Sequence, residues 1–285
     1  MHRGEVALER DWSARWRELV EERSVHARAA GRPVCFLVVP DKLAVYGDLF
    51  PLDLEPREGR PRPMTRLVGE ESVPLLYPDM PLREARARGD TYMATDSHLT
   101  ARGNRLLAGA AIAALGASVE LLETVADTRA QHLMSGDLGR HFQPHVLEIG
   151  ERLVTPSMAR IVSDNWSTVL EQGGHIGTLR VFRRDDAPDG RTVVVFGDSY
   201  GFGDDAYTGL AWFLAQAFRE VHFAWVPFGW DPDYLDRVGA GLVVCQTAER
   251  FIGRVPRGRV DVASLARAAG ERKGPLGLER VFGDA

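Results

Sequence analysis

The most constraining feature of this 285-residue sequence is the run Arg191-Thr192-Val193-Val194-Val195-Phe196, which breaks abruptly at Gly197-Asp198-Ser199. A run of β-branched and aromatic residues without polar alternation predicts a strand buried on both faces, as in a parallel sheet covered by helices. Val34–Val39 predicts a second such strand, bounded by Pro33 and Pro40, and Val221–Val226 and Gly241–Cys245 predict two more. Helices are predicted between them. Residues 9 to 30 place Trp12, Trp16, Leu19 and Val20 at helical spacing and stop at Gly31-Arg32-Pro33, and the Ala/Leu-rich stretch Asn104–Val125 predicts a helix lying on a sheet. Thr208–Phe218 predicts another, and Pro81–Arg88 a short one. Strands alternating with helices give an α/β sandwich on a mostly parallel sheet.

Between these elements the signal thins. Leu52–Arg66 is rich in Pro, Arg, Glu and Gly and predicts a surface loop, and Thr91–Thr95 predicts a brief extended segment leading to Asp96. Residues 126–178 form a poorly readable insert. We expect one catalytic domain over residues 1–285, with residues 1–31 as its N-terminal helix.

Composition excludes several classes. A net charge of -5 gives no footprint for nucleic acid, and the basic clusters Arg83–Arg88 and Arg254–Arg259 read as solvated surface. Cys35 and Cys245 are the only cysteines, each inside an apolar run, so inert buried thiols are expected and no disulfide framework. No stretch is apolar enough to span a bilayer, and the charged N-terminus lacks a secretory signal, so the expectation is a cytoplasmic protein unless a leader has been removed.

The chemistry gathers where strands end. In open parallel sheets the carboxyl ends of the strands present loops and backbone amides to ligands, and Ser199 follows such an end. Gly197, Gly201 and Gly203 permit a tight turn that lifts a hydroxyl out of the sheet. A serine needs a base oriented by a third group. Asp96 and His98 supply that pair, because an Asp-x-His spacing in a loop lets the carboxylate turn back to imidazole Nδ1. Taken alone, a Gly-Asp-Ser turn and an Asp-x-His loop are also ordinary turn chemistry. Asp198 is read as a residue that fixes the turn.

Tyr92–Gly103 (YMATDSHLTARG), followed by an Ala-rich helix, and Val193–Tyr200 (VVVFGDSY) together resemble the paired motifs of the alginate O-acetyltransferase family. In that family the Asp-x-His precedes the Gly-Asp-Ser, the order found here. Val38–Pro51, Ser135–Gly139 and Thr247–Phe251 resemble further family elements. The resemblance implies an SGNH-hydrolase-like three-layer sandwich and a triad of Ser199, His98 and Asp96. It also implies pocket roles for Lys42, Tyr46, Tyr200 and Gly201, and no cofactor. Leu99 stands where the family has tryptophan and Tyr200 where it has phenylalanine, and no G-x-N-D block assigns an oxyanion-hole asparagine.

The implied reaction is serine-dependent O-acyl transfer, most simply of acetyl, from an acyl donor to a hydroxyl of a carbohydrate or small metabolite. An SGNH-type esterase uses the same groups with water as acceptor. A metal-dependent enzyme built on Asp96, His98, His132, His141 and His145 with Asp137, and a non-catalytic glycan-binding module, are the alternatives from other classes. The spacing of those histidines matches no compact zinc motif, so no metal site is expected. Glu249 and Arg250 are read as a structural ion pair or a helix-start feature, and Asp137 as a turn cap. Nothing in the sequence sets the oligomeric state.

Overall fold

The computed structural model describes residues 8–50, 62–70, 73–126, 128–203, 208–271 and 276–282. Its centre is a six-stranded sheet with the order β1-β8-β6-β7-β5-β4. The strands are β1 (Val34–Val39), β4 (Arg160–Asp164), β5 (Leu179–Arg183), β6 (Asp189–Gly197), β7 (Phe218–Trp225) and β8 (Leu242–Ala248). β1, β8, β6 and β7 run parallel, in a register that sets Val34 beside Val243, Val195 beside Val244 and Val193 beside Val221. β5 and β4 extend the sheet antiparallel beyond β7. A separate antiparallel hairpin pairs β2 (Arg129–Met134) with β3 (Glu148–Leu153).

Strands β1, β6 and β8 are buried over their apolar runs because those runs carry no polar alternation, while β4 at the sheet's edge is exposed along its length. Val193 to Phe196 are fully buried, and so are Leu242 to Cys245, which removes the apolar area that drives such a sheet to be covered. The helices Ala101–Ala114 and Leu210–Ala217 pack on each other and on the parallel strands. The first presents Leu107, Ala108, Ala111 and Ile112 to the core. The helix Trp12–Ala29 packs near β1, and the indole N–H groups of Trp12 and Trp16 both donate to the Ile252 carbonyl, at 2.8 and 3.0 Å. It ends in a turn where Gly31 has φ +64°. Cys35 and Cys245 are buried free thiols, and burial pushes both up to about 12.

Several boundaries differ from the sequence reading. The helix expected over Asn104–Val125 begins earlier, at Ala101, where Thr100 Oγ1 accepts the Gly103 N–H at 3.2 Å. It ends at Ala114 because Gly116 adopts φ +69°, the left-handed stop that glycine takes without strain, and only a short 3-10 turn over Val119–Leu122 follows. Residues 52–61 of the expected 52–66 loop lie outside the described residues. Its end is not loop: Pro63–Thr65 starts a helical segment that runs through 70, and it buries Met64 and Leu67. Thr91–Thr95 is not a strand. It makes a single bridge, Tyr92 to Leu99, around the Asp96–His98 loop. The helix expected at Pro81–Arg88 spans Asp79–Ala85 and continues as a 3-10 turn. β7 starts earlier than expected, at Phe218, and β8 runs on to Ala248. The Arg83–Arg88 cluster is not simply solvated, since Arg83 donates to the Ala44 carbonyl and Arg86 forks onto Asp48. Among the described residues, no helix is long and apolar enough to cross a membrane.

Candidate active site

Ser199 sits in the turn that leaves the carboxyl end of β6, and Asp198 builds that turn. Asp198 is 2% exposed. Its Oδ1 accepts the Tyr200 N–H at 3.0 Å and the Gln246 side-chain amide at 2.8 Å, and its Oδ2 accepts the Ala248 N–H at 2.6 Å. Gln246 answers by accepting the Asp198 N–H at 2.9 Å. The carbonyl of Asp198 then accepts the N–H groups of Gly201 and Phe202 at 2.9 and 3.1 Å. Charge-assisted and amide bonds in a buried position thus hold the turn against the adjacent strand β8.

Asp96 and His98 come from the loop before the helix Ala101–Ala114. His98 Nδ1 lies 2.6 Å from Asp96 Oδ1, and the same oxygen accepts the His98 backbone N–H at 2.9 Å. Asp96 Oδ2 accepts the Asp137 N–H at 3.1 Å. Burial would raise the Asp96 carboxyl, but the bonds from His98 and from the Asp137 backbone outweigh it and hold the group down at about 2. Asp96 is therefore an anion throughout the neutral range. Close approach of the hairpin turn demands glycine: a Cβ on Gly136 would stand 2.3 Å from Asp96 Cβ.

Ser199, Asp96 and His98 line one cavity of about 360 Å³. Around them stand Leu99, Thr100 and Asn104 from the start of the helix, His132, Met134 and Arg152 from the hairpin, and His175, Phe202 and Trp225. Among the described residues, one group of metal-ligand side chains gathers within 4.8 Å, namely Asp96, His98 and Asp137. Asp137 is exposed and accepts both the backbone N–H and the hydroxyl of Ser97. His132, His141 and His145 do not join that group.

The family model for the SGNH hydrolase-like domain of the acetyltransferase AlgX matches residues 4–232. The chain belongs to the AlgX-type SGNH hydrolase-like family. Three solved structures share the fold of this AlgX-type protein. The O-acetyltransferase domain of Pseudomonas putida AlgJ is 16% identical, with 92% of this chain and 88% of that one covered and a TM-score of 0.50. Bacillus cereus PatB1 with a sulfonyl adduct is 12% identical over 91% and 93% of the two chains, with a TM-score of 0.57. A DHHW family protein from Eubacterium siraeum is 15% identical over 85% and 84%, with a TM-score of 0.51. No curated protein sequence matches the chain. Family membership makes the protein an enzyme of SGNH type, either an O-acyltransferase or a carboxylic-ester hydrolase.

The other residues expected in this AlgX-type pocket are not among those that line the cavity. Lys42, in the short helix Lys42–Tyr46, donates to the carbonyls of Met93, Ala94 and Asp96 at 2.5, 2.8 and 3.1 Å, and burial lowers its pKa. Tyr46 accepts the Thr91 N–H at 2.9 Å. Tyr200 is buried, donates its hydroxyl to the Ser97 carbonyl at 2.8 Å and sets its ring 5.1 Å from that of His98. Gly201 lies where a Cβ would meet Phe223 at 2.8 Å. Glu249 and Arg250 do not pair with each other, but Glu249 opens the 3-10 turn Glu249–Phe251, as the helix-start reading expects. Glu249 bonds Arg62 and Tyr77, and Arg250 donates to the Tyr200 hydroxyl at 3.2 Å. Sequence reasoning misses Glu148, which accepts the N–H groups of Ala94 and Thr95 at 2.8 and 2.7 Å. It also misses Asn104, His175 and Trp225, for which no motif or periodicity gives a signal.

Proposed function

We propose that this protein is a serine-dependent O-acyltransferase in which Ser199, His98 and Asp96 form the catalytic triad. The observation that carries the reading is the 2.6 Å contact between His98 Nδ1 and Asp96 Oδ1 in the cavity that Ser199 also lines. An ionised Asp96 on Nδ1 fixes the tautomer that leaves Nε2 as the base. His98 takes the Ser199 proton while Oγ attacks the acyl carbonyl of a donor ester, and the Ser199 backbone N–H, the turn amide not already engaged by Asp198 or Gln246, holds the oxyanion. The tetrahedral intermediate collapses, the donor oxygen leaves with the proton from His98, and an acyl-enzyme remains. A hydroxyl of a carbohydrate or small metabolite then gives its proton to His98 and attacks the acyl carbon, which releases the new ester and restores Ser199.

Membership of the acetyltransferase AlgX family, with the AlgJ O-acetyltransferase domain as a structural neighbour, favours acetyl as the group moved. Neither a metal ion nor an organic cofactor has a role in this scheme. Residues 1–285 act in it as a single catalytic unit. Cytoplasmic action draws no support from membership of the AlgX-type family, and fractionation of the host decides it.

Donor consumption measured with and without a panel of sugars and glycosides tests the reading, with acylated product followed by mass spectrometry. An acceptor that raises turnover and emerges acylated is the expected result. Turnover to free acid alone, with no acylated product from any acceptor, makes the protein an esterase.

A further inference from the structure

The peptide group that joins Ser97 to His98 is held at both of its ends. Its N–H donates to Asp96 Oδ1 at 2.9 Å, and its carbonyl accepts the Tyr200 hydroxyl at 2.8 Å. A peptide group is planar, so fixing both ends fixes its tilt and, with it, the direction in which the His98 side chain leaves the backbone. The rest of the loop is tied down separately, by Asp137 on the N–H and hydroxyl of Ser97 and by Lys42 on the carbonyls of Met93, Ala94 and Asp96.

Among these supports, Tyr200 is the one that belongs to the serine turn. It follows Ser199 in the chain, and its own N–H is bound by the buried Asp198 at 3.0 Å. One covalent step and one hydrogen bond therefore run from the nucleophile's residue to the peptide group that carries the base. The Tyr200 ring also lies 5.1 Å from that of His98, at 52°. A phenylalanine here, as in the family's motif, would keep the ring contact and lose the hydrogen bond. Burial raises the Tyr200 pKa, so the hydroxyl keeps its proton and donates.

Arg250 holds the same hydroxyl from the other side. Its Nη1 donates to the Tyr200 oxygen at 3.2 Å, and its guanidinium stands 5.2 Å from the ring centroids of both Tyr200 and Phe251 and 4.0 Å from the Asp41 carboxylate. A hydroxyl that accepts from a cation is polarised, and it donates more strongly in turn. Neither Arg250 nor Tyr200 lines the cavity that holds Ser199 and His98.

We propose that Arg250 is a positioning residue for acyl transfer, acting through the Tyr200 hydroxyl on the Ser97 carbonyl to set the direction of His98 toward Ser199. The assignment deepens the triad reading and rests on it. Because the pair stands outside the cavity lining, its loss falls on the rate at saturating substrate and not on substrate binding.

The test follows acetylation of Ser199 by p-nitrophenyl acetate in rapid mixing, as a function of ester concentration, in Tyr200→Phe, Arg250→Met, Arg250→Lys and the double variant Tyr200→Phe/Arg250→Met. Tyr200→Phe should lower the saturating rate about tenfold while changing the half-saturating concentration less than about twofold. Arg250→Met should lower the rate about threefold when Tyr200 is present and by nothing further when it is replaced, since the arginine acts through the hydroxyl. Arg250→Lys, which can still donate to that hydroxyl, should recover most of the loss. A merely structural arginine would lower Tm alike in both backgrounds and leave the rate untouched. An unchanged rate in Arg250→Met, or the same fractional loss with and without the Tyr200 hydroxyl, overturns the proposal. If the wild type carries acetyl at another residue and never at Ser199, the triad reading falls and this assignment with it. If Ser199 is acetylated at the wild-type rate in every variant, the assignment falls alone.

Discussion

The two halves of the proposed triad are held in different ways. Ser199 rides on a turn anchored in the sheet, where Asp198, Gln246 and the Ala248 amide form a closed buried network. Asp96 and His98 ride on a loop held from outside the sheet by Lys42, Glu148 and Asp137, the last of them exposed. Tyr200 joins the halves, since its backbone belongs to the serine turn and its hydroxyl donates to the Ser97 carbonyl. The nucleophile's position is thus a property of the folded core, and the base's position is a property of polar contacts that open more easily. Substitutions among the supports of Ser199 should cost stability before activity, and those in Asp96, His98 and their supports activity before stability.

Asp96→Asn is the sharpest break of that contrast. It should lower acyl transfer by about 10³- to 10⁴-fold through the wrong imidazole tautomer, with only a modest drop in Tm, because the amide keeps the shape of the side chain. Steady-state rates and thermal unfolding check this together. Its pH behaviour has a definite sign. The folded Asp96 pKa is depressed to about 2, so its stabilisation is present above the unfolded value of about 3.9 and disappears as pH falls toward the folded one. The stability gap between wild type and Asp96→Asn should close between about pH 4 and about pH 2.

Asp198→Ala acts on the other half. It leaves the Gln246 amide and the Tyr200 and Ala248 N–H groups buried without their acceptor, and it should cost about 3 kcal/mol or more in urea unfolding. A loss below about 1 kcal/mol would mean that the serine turn does not depend on this network. Glu148→Ala is the milder counterpart. Removing the acceptor of the Ala94 and Thr95 amides should lower activity about tenfold, through a looser base, with a stability loss under about 1 kcal/mol.

A further effect, visible only as a pH dependence, falls at the edge between the halves. Burial, then the neighbouring Glu249, raises Asp41 to about 7. Between about pH 4 and about pH 7 the folded protein holds a proton that the unfolded chain has released, so this group's contribution to stability falls as pH rises through that window. Asp41→Asn should flatten that decline in a series of unfolding curves.

The difference between the halves also decides what the sequence reveals. The sheet-anchored half is legible because a strand buried on both faces leaves an unbroken apolar run, as in Val193–Phe196, and because the run stops at a turn triplet. The extension of β8 through Gln246 and Thr247 is hidden, since a buried glutamine in a strand makes sense only once Asp198 is its neighbour. Asp96 and His98 are legible through local spacing, but their supports are not. Glu148 lies 54 and 53 residues from Ala94 and Thr95, and Asp137 lies 40 from Ser97. Contacts at that range leave no local pattern.

The hairpin that supplies Glu148, β2 with β3, is unreadable for a related reason: its strands mix polar and apolar residues, few of them buried, so alternation is weak. The aromatic cluster beside the cavity is equally hidden, because Trp166, His175, Phe202 and Trp225 come from separate segments that meet only in the folded chain. Sequence places the helix Ala101–Ala114 but extends it too far, since a glycine stop at Gly116 looks like one more small residue in an Ala-rich run.

Whether Ser199 carries the acyl group is settled by rapid mixing with p-nitrophenyl acetate, acid quench and peptide mapping by mass spectrometry. One acetyl group should appear on the Ser199 peptide of the wild type within the first turnover. The same peptide should stay unmodified in Ser199→Ala, with the fold intact by circular dichroism. Equal acetylation of both proteins at another residue, on the same timescale, would rule out a Ser199 acyl-enzyme.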